Sequence, residues 1–407
     1  MLNKNGFYSL INEVTKRDLS RHFILTNDKN YIKMKKLILN IALLIPVLLF
    51  SQINTNKKKV LMVVSSYGKD MGASRPGYEF DEFSQAYLVF KNNNLSVDVA
   101  SPKGGNVEPD KYNEEKLYNQ ILLEDQNALS LLNNTKPTAQ INAEDYDAIY
   151  IVGGKGAMFD LPFDPSLQDI ILNLYNRDNT VIASVCHGPA VFANVKNDDD
   201  YIVNGVALTG FTNVEEDLFG KKWVKEFPFS LETQLKSRGA KFKQADFMLS
   251  KVVVSGKFVT GQNPFSTAKS AEEVVKKLGI EPVERTLYTD ENSVLLIQDV
   301  LDETITINQA ETLLANNVKK YDMPLIAVYG YYKILASNDN ATDLVKGTEL
   351  IDLSSPYFFN ENLQLLLAKT YASIGEREKA IQVANVLVAK NLLKEEAEKL
   401  LKDIRKK

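Results

Sequence analysis

The chain has 407 residues, 44% hydrophobic and 25% charged, enough apolar material for one large or two moderate globular domains; a disordered chain and a disulfide-stapled miniprotein are excluded. Its 48 basic and 52 acidic residues leave a formal net charge of −4, so there is no electrostatic footprint for nucleic acid. One cysteine, Cys186, and two histidines, His22 and His187, exclude a Cys/His zinc cluster and an intrachain disulfide.

In chain order, residues 1–33 are polar and of mixed charge, and are expected to be a mis-assigned extension upstream of a true start at Met34. Met34-Lys35-Lys36, the apolar run 37–50 and Ser51-Gln52 have the layout of a signal peptide over 34–52. The run is interrupted by Pro46 and is shorter than the ~20 residues of a spanning helix, so no stable membrane anchor is expected. No cysteine precedes Cys186, which excludes a lipoprotein anchor. The chain is therefore expected to be exported, periplasmic or secreted, with His187 as the sole histidine of the mature form.

From Lys58 onward, apolar β-branched stretches alternate with helical patterns, as in an α/β protein whose parallel sheet is covered on both faces. Strands are predicted over 60–65, 95–101, 148–153 and 180–184. Helices are predicted over 79–91, 165–175, onward from Pro189, 231–238 and 266–278, the last stopped by Gly279. Two short strands, 251–254 and 258–260, flank the turn signal Ser255-Gly256. Beyond Glu281-Pro282 glycine becomes rare and amphipathic helices follow one another. An α/β domain over 57–283 and an all-α helical-repeat region over 290–407 are expected, joined by a linker at 282–286 with little apolar material. Within the second, 292–321, 326–351 and 362–390 read as helical hairpins of tetratricopeptide-like spacing. They form either a cap on the first domain or a peptide-binding groove.

The chemistry concentrates at Ala183-Ser184-Val185-Cys186-His187-Gly188-Pro189-Ala190, between an apolar strand and the helix predicted from Pro189. Such a strand-to-helix turn is a nucleophile elbow. Helix-end amides would favour a thiolate and lower the Cys186 pKa from its free value of ~8.5.

These residues resemble the ThiJ/PfpI superfamily, with its class I glutamine amidotransferase-like, flavodoxin-like fold, and within it the branch of stress chaperones and glyoxalase III enzymes. Besides the elbow, the resemblance rests on Gly77 and Glu82, the run from Gly153 to Pro162, Thr209-Gly210-Phe211-Thr212-Asn213-Val214-Glu215-Glu216, and Thr260-Gly261-Gln262-Asn263-Pro264. It implies that Cys186 is the nucleophile, His187 its base and Glu216 the orienting acid, with Glu215 the competitor for that place. Glu82 falls where the family sets a carboxyl beside the thiol. Gly153, Gly154 and Lys155 fall at the oxyanion and substrate-binding segment, where the amides of Gly154 and His187 resemble the oxyanion hole. Lys155 departs from the histidine common in the branch, and an ammonium does not shuttle protons near neutral pH as imidazole does.

The resemblance implies a cofactor-independent lyase, a glutathione-independent glyoxalase of the D-lactate dehydratase type, turning methylglyoxal or a related 2-oxoaldehyde into a 2-hydroxy acid. No cofactor and no metal are required. A holdase-type stress chaperone and a cysteine peptidase of the same superfamily are the alternatives. The expected partner is the small-molecule substrate, with room for a protein bound by the C-terminal helices and for a homodimer.

Overall fold

The computed structural model describes residues 57–406; the expected extension over 1–33, the signal peptide over 34–52 and the export they imply lie outside them. The first half is built on a 7-stranded sheet. Its strands are β1 (Lys59–Val63), β2 (Ser96–Ser101), β3 (Lys136–Pro137), β4 (Ala148–Ile151), β5 (Val181–Val185), β6 (Val252–Ser255) and β7 (Phe258–Gly261), in the spatial order β6-β7-β5-β4-β1-β2-β3. Every neighbouring pair is parallel except the β6/β7 hairpin, whose turn needs the left-handed φ of 56° that Gly256 supplies.

Side chains alternate between the faces of a strand. Val60, Met62 and Val64 enter the core on one side of the sheet, and Leu61 and Val63 the core on the other; Tyr150 and Val152 are separated from Ile149 and Ile151 in the same way. Both faces are covered, so the central strands read as nearly continuous apolar runs. The first core is closed by α1 (Phe80–Asn92), α2 (Leu117–Glu124), α3 (Gln126–Asn133) and α6 (Thr267–Lys277), the second by α4 (Pro165–Asn176) and α5 (Leu231–Ser237).

Most strands and helices predicted in this half lie within two residues of those bounds. Several findings differ, among them the edge strand β3, which was not predicted. The helix expected from Pro189 is a 3-10 run, Gly188–Asn194, because the chain enters the small hairpin Lys196–Asn197/Asp200–Tyr201 before an α-helix can develop. In addition, α2 and α3 were not foreseen; Asp125 separates them and caps the second by accepting from the amides of Asn127 and Ala128.

The second half is helical: α7 (Thr289–Leu301), α8 (Ile307–Asn317), α9 (Met323–Leu335), α10 (Ala341–Ser354), α11 (Glu361–Ser373), α12 (Arg377–Ala389) and α13 (Lys394–Lys406). Helices α9 and α10 approach closely at Gly330 and Gly347, where a Cβ on either would come within 2.8 Å of the other's carbonyl oxygen.

The two halves are held together by packing, although the linker at 282–286 carries little apolar material. Phe247 and Leu249 of the first half share a core with Val294, Ile297, Ile326 and Tyr329 of the second. Polar stitches surround it. Lys116 pairs with Asp81 and Asp290, Tyr118 Oη donates to Asp290 at 2.8 Å, and Arg285 forks onto Glu291 while its Nε reaches Glu272 at 2.7 Å. Residues from Lys57 onward form one compact unit. The apolar residues of the first half that join it to the second come from 218–219, 245–249 and Phe265, not from the linker.

Candidate active site

Strand β5 delivers Cys186 at its carboxyl end, beside the ends of its neighbours β4 and β7, the edge where open parallel α/β sheets place their ligands. Cys186 has φ 59°, a left-handed conformation that costs on the order of 1–3 kcal/mol for a residue with a Cβ and persists only when the surroundings over-determine it. Here they do. The Cys186 amide donates to Gly261 O at 3.0 Å, and its carbonyl accepts from Phe211 N at 2.8 Å. Gly188 is held so close to β4 that a Cβ there would lie 2.5 Å from Ile151 O.

The Cys186 sulfur lies 3.3 Å from His187 Nδ1, and His187 Nε2 lies 2.7 Å from Glu216 Oε1. All three are buried. The imidazole is fixed by Phe211 stacked at 4.5 Å and Phe227 edge-on at 5.7 Å. Glu216 opens a π-turn, Glu216–Gly220, directly after a short helix capped reciprocally by Thr212 and Glu215. That cap sets the two glutamates apart. Glu215 accepts from Thr212 N, Met248 N, Gln262 Nε2 and Asn263 Nδ2 at 2.8 to 3.0 Å, so it ties loops together and makes no bond to His187.

Glu82, in the first turn of α1, is fully buried; its Oε2 accepts from Gly153 N at 2.7 Å, and Oε1 has no hydrogen-bond partner. Burial pushes the Glu82 carboxyl well up, and the charge of Glu79 adds to this. The Cys186 thiol is also pushed up, by burial first and then by Glu82 beside it, while the Gly154 amide opposes the shift. The expectation of a thiol lowered by a helix end is thus corrected: no α-helix follows the elbow, and desolvation with a carboxyl neighbour outweighs one amide. Gly153 permits the contact of the thiol with Glu82, since a Cβ would lie 2.7 Å from Cys186 Cβ and 2.8 Å from Glu82 Oε2. Gly154, at φ 92°, turns the chain into the 3-10 turn Lys155–Met158.

Lys155 is half-buried at the rim and lowers the nearby Glu79 and Asp110 carboxyls, though burial keeps both raised, Glu79 to about 8. Sequence reasoning passed over these two acids. The available signal for Glu79 was its spacing, one helical turn ahead of Glu82. For Asp110, which accepts from Gly77 N at 2.7 Å, there was none. Also unforeseen is an aromatic wall running from Phe227 to Phe159 and on to Tyr67, with ring centroids 5.5 and 4.5 Å apart. Among the described residues, no group of three or more His, Cys, Asp or Glu side chains is arranged to hold a metal ion.

Several known proteins share this arrangement of chain. Glyoxalase 3 of Candida albicans is 28% identical over 232 residues, covering 53% of this chain and 97% of that protein. A glutathione-independent glyoxalase of Schizosaccharomyces pombe is 30% identical over 238 residues, with 54% and 98% covered. Among solved structures, the Rapid Encystment Protein 24 KDa of Francisella tularensis is 34% identical with a TM-score of 0.51, over 54% of this chain and 99% of that one. Glyoxalase III from Candida albicans has a TM-score of 0.50 at 25% identity, over 54% and 97%. Residues 58–277, just over half of the chain, match the DJ-1/PfpI family, and the chain belongs to that family.

Proposed function

We propose that this chain is a glutathione-independent glyoxalase that converts methylglyoxal or a related 2-oxoaldehyde to a 2-hydroxy acid, as the names of its relatives suggest. The observation that carries the reading is the buried chain from Cys186 through His187 to Glu216, with Glu82 against the same sulfur. His187 takes the thiol proton as sulfur attacks the aldehyde carbon, and Glu216 stabilises the imidazolium that results. The oxygen of the hemithioacetal is met by the amides of Gly154 and His187.

A proton then leaves the former aldehyde carbon and returns at the neighbouring carbon through an enediol. Glu82 suits this transfer, because a carboxyl whose pKa is raised by burial exchanges a proton more readily near neutrality. The product is a thioester of Cys186. Water cleaves it, releasing the 2-hydroxy acid and returning the thiol, so the net reaction adds one water and needs no outside oxidant or reductant. Lys155 at the rim attracts the enolate oxygen or the carboxylate of the product.

The test is consumption of methylglyoxal by the wild type beside Cys186→Ala and His187→Ala. Each substitution is expected to abolish turnover, since residues that act as a unit lose most of the rate singly. Turnover that survives in Cys186→Ala would overturn the mechanism.

A further inference from the structure

The helical region does more than adjoin the α/β half, because it packs on the segment that carries Glu216. The relatives compared above have no length left over for such a region: about half of this chain covers 97–99% of each. Glu216 opens a π-turn, a rare geometry in single turns, frequent at functional sites. Leu218 and Phe219 of that turn pack into the core shared with α7, α9 and α10. The Phe219 ring meets Tyr332 of α9 at 4.7 Å, edge to face.

The segment beside the turn is held as well. Phe247 stacks on Tyr329 at 4.9 Å, Lys333 Nζ donates to Asp246 Oδ2 at 2.6 Å, and Met248 N donates to Glu215, the residue next to Glu216. Within the turn there is no slack. A Cβ on Gly220 would lie 2.6 Å from Glu216 Oε2 and 1.9 Å from Val224 Cγ2. The carboxylate is confined by its own turn, so a displacement of the turn displaces the carboxylate, and α9 is what the turn leans on.

We infer that Tyr332 is a positioning residue for the Glu216–His187 pair, and that the helical region thereby completes the active site of this chain. The inference rests on the proposed role of Glu216 as the acid that orients His187. Its energetic content is that a ring on α9 and a carboxylate near the thiol are coupled, although Tyr332 touches neither substrate nor sulfur.

The experiment is a double-mutant cycle in the full chain with Tyr332→Ala, Glu216→Gln and both together. It reads kcat for methylglyoxal and the pH profile of Cys186 alkylation by iodoacetamide. Tyr332→Ala is expected to lower kcat by about 3–10-fold, and in the Glu216→Gln background by less than about twofold. Its alkylation profile should move to higher pH, as with Glu216→Gln: without the carboxylate the imidazolium is less favoured, and so is the thiolate beside it. Phe219→Leu removes the same contact from the other side and should show the same non-additivity, which keeps the test intact if Tyr332→Ala fails to fold. Additive losses, or an alkylation profile that does not move, overturn the inference. A wild type that leaves methylglyoxal untouched overturns the glyoxalase reading alone, and the alkylation profiles still decide on Tyr332.

Discussion

Replacing Glu216 with glutamine keeps the shape of the side chain and removes its charge, which isolates the carboxylate that His187 Nε2 meets at 2.7 Å. A hydrogen bond to a charged group contributes about 1.5–3 kcal/mol, and when the imidazole carries its positive charge only during the reaction, that loss falls on the barrier. At about 1.4 kcal/mol per factor of ten, turnover should drop roughly 10- to 100-fold. Stability should change by less than about 1 kcal/mol, because Glu216 Oε2 has no partner to lose. Glu215→Gln is the control that the structure supplies, and its expected profile is the reverse. Met248 N, Gln262 Nε2 and Asn263 Nδ2 all converge on Oε1 of Glu215, and Thr212 N and Oγ1 on Oε2. An amide NH2 at either position sets donor against donor and leaves buried groups unsatisfied, at a cost of roughly 2–4 kcal/mol. Steady-state assays with methylglyoxal and urea denaturation of both variants read the two quantities. A Glu216→Gln form that keeps more than about a third of its turnover, or a Glu215→Gln form as stable as wild type, would refute the division of roles.

Two further outcomes follow from named contacts. Glu79 has its pKa pushed up to about 8, chiefly by burial, and its charge raises the Cys186 thiol. Glu79→Gln should therefore shift Cys186 alkylation to lower pH. Because the native state holds the Glu79 proton more tightly than the unfolded chain does, stability falls as pH rises between about 4.5 and 8. Denaturation measured across that window should show a shallower fall in the variant, and equal slopes would count against the assignment. The second outcome concerns the join between the halves. Phe247 is buried against Tyr329, so Phe247→Ala should destabilise the whole chain by about 3–5 kcal/mol with one unfolding transition. A separate transition for the helices, seen by circular dichroism during urea titration, would show that the shared core does not couple them.

The amino-acid sequence by itself determined the elements that local chemistry dictates. Strands β1, β4 and β5 are legible because a parallel strand covered on both faces is apolar along nearly its whole length, and helix α6 because its apolar stripe ends at Gly279. Cys186 and His187 stood out in the sequence because Cys-His-Gly-Pro directly follows an apolar strand and resembles the family's elbow. Tertiary structure decided what depends on residues distant in the chain. Glu215 and Glu216 are indistinguishable by spacing, and only the convergence of Thr212, Met248, Gln262 and Asn263 on one of them frees the other for His187. The direction of the Cys186 titration depends on how deeply the sulfur is buried and on Glu82 reaching it from another helix, neither of which the elbow motif encodes. The attachment of the helices was hidden for the same reason: the linker at 282–286 is poor in apolar residues, and the side chains that bind the halves, Phe219, Phe247 and Leu249 against Tyr329 and Tyr332, come together only when the chain is folded.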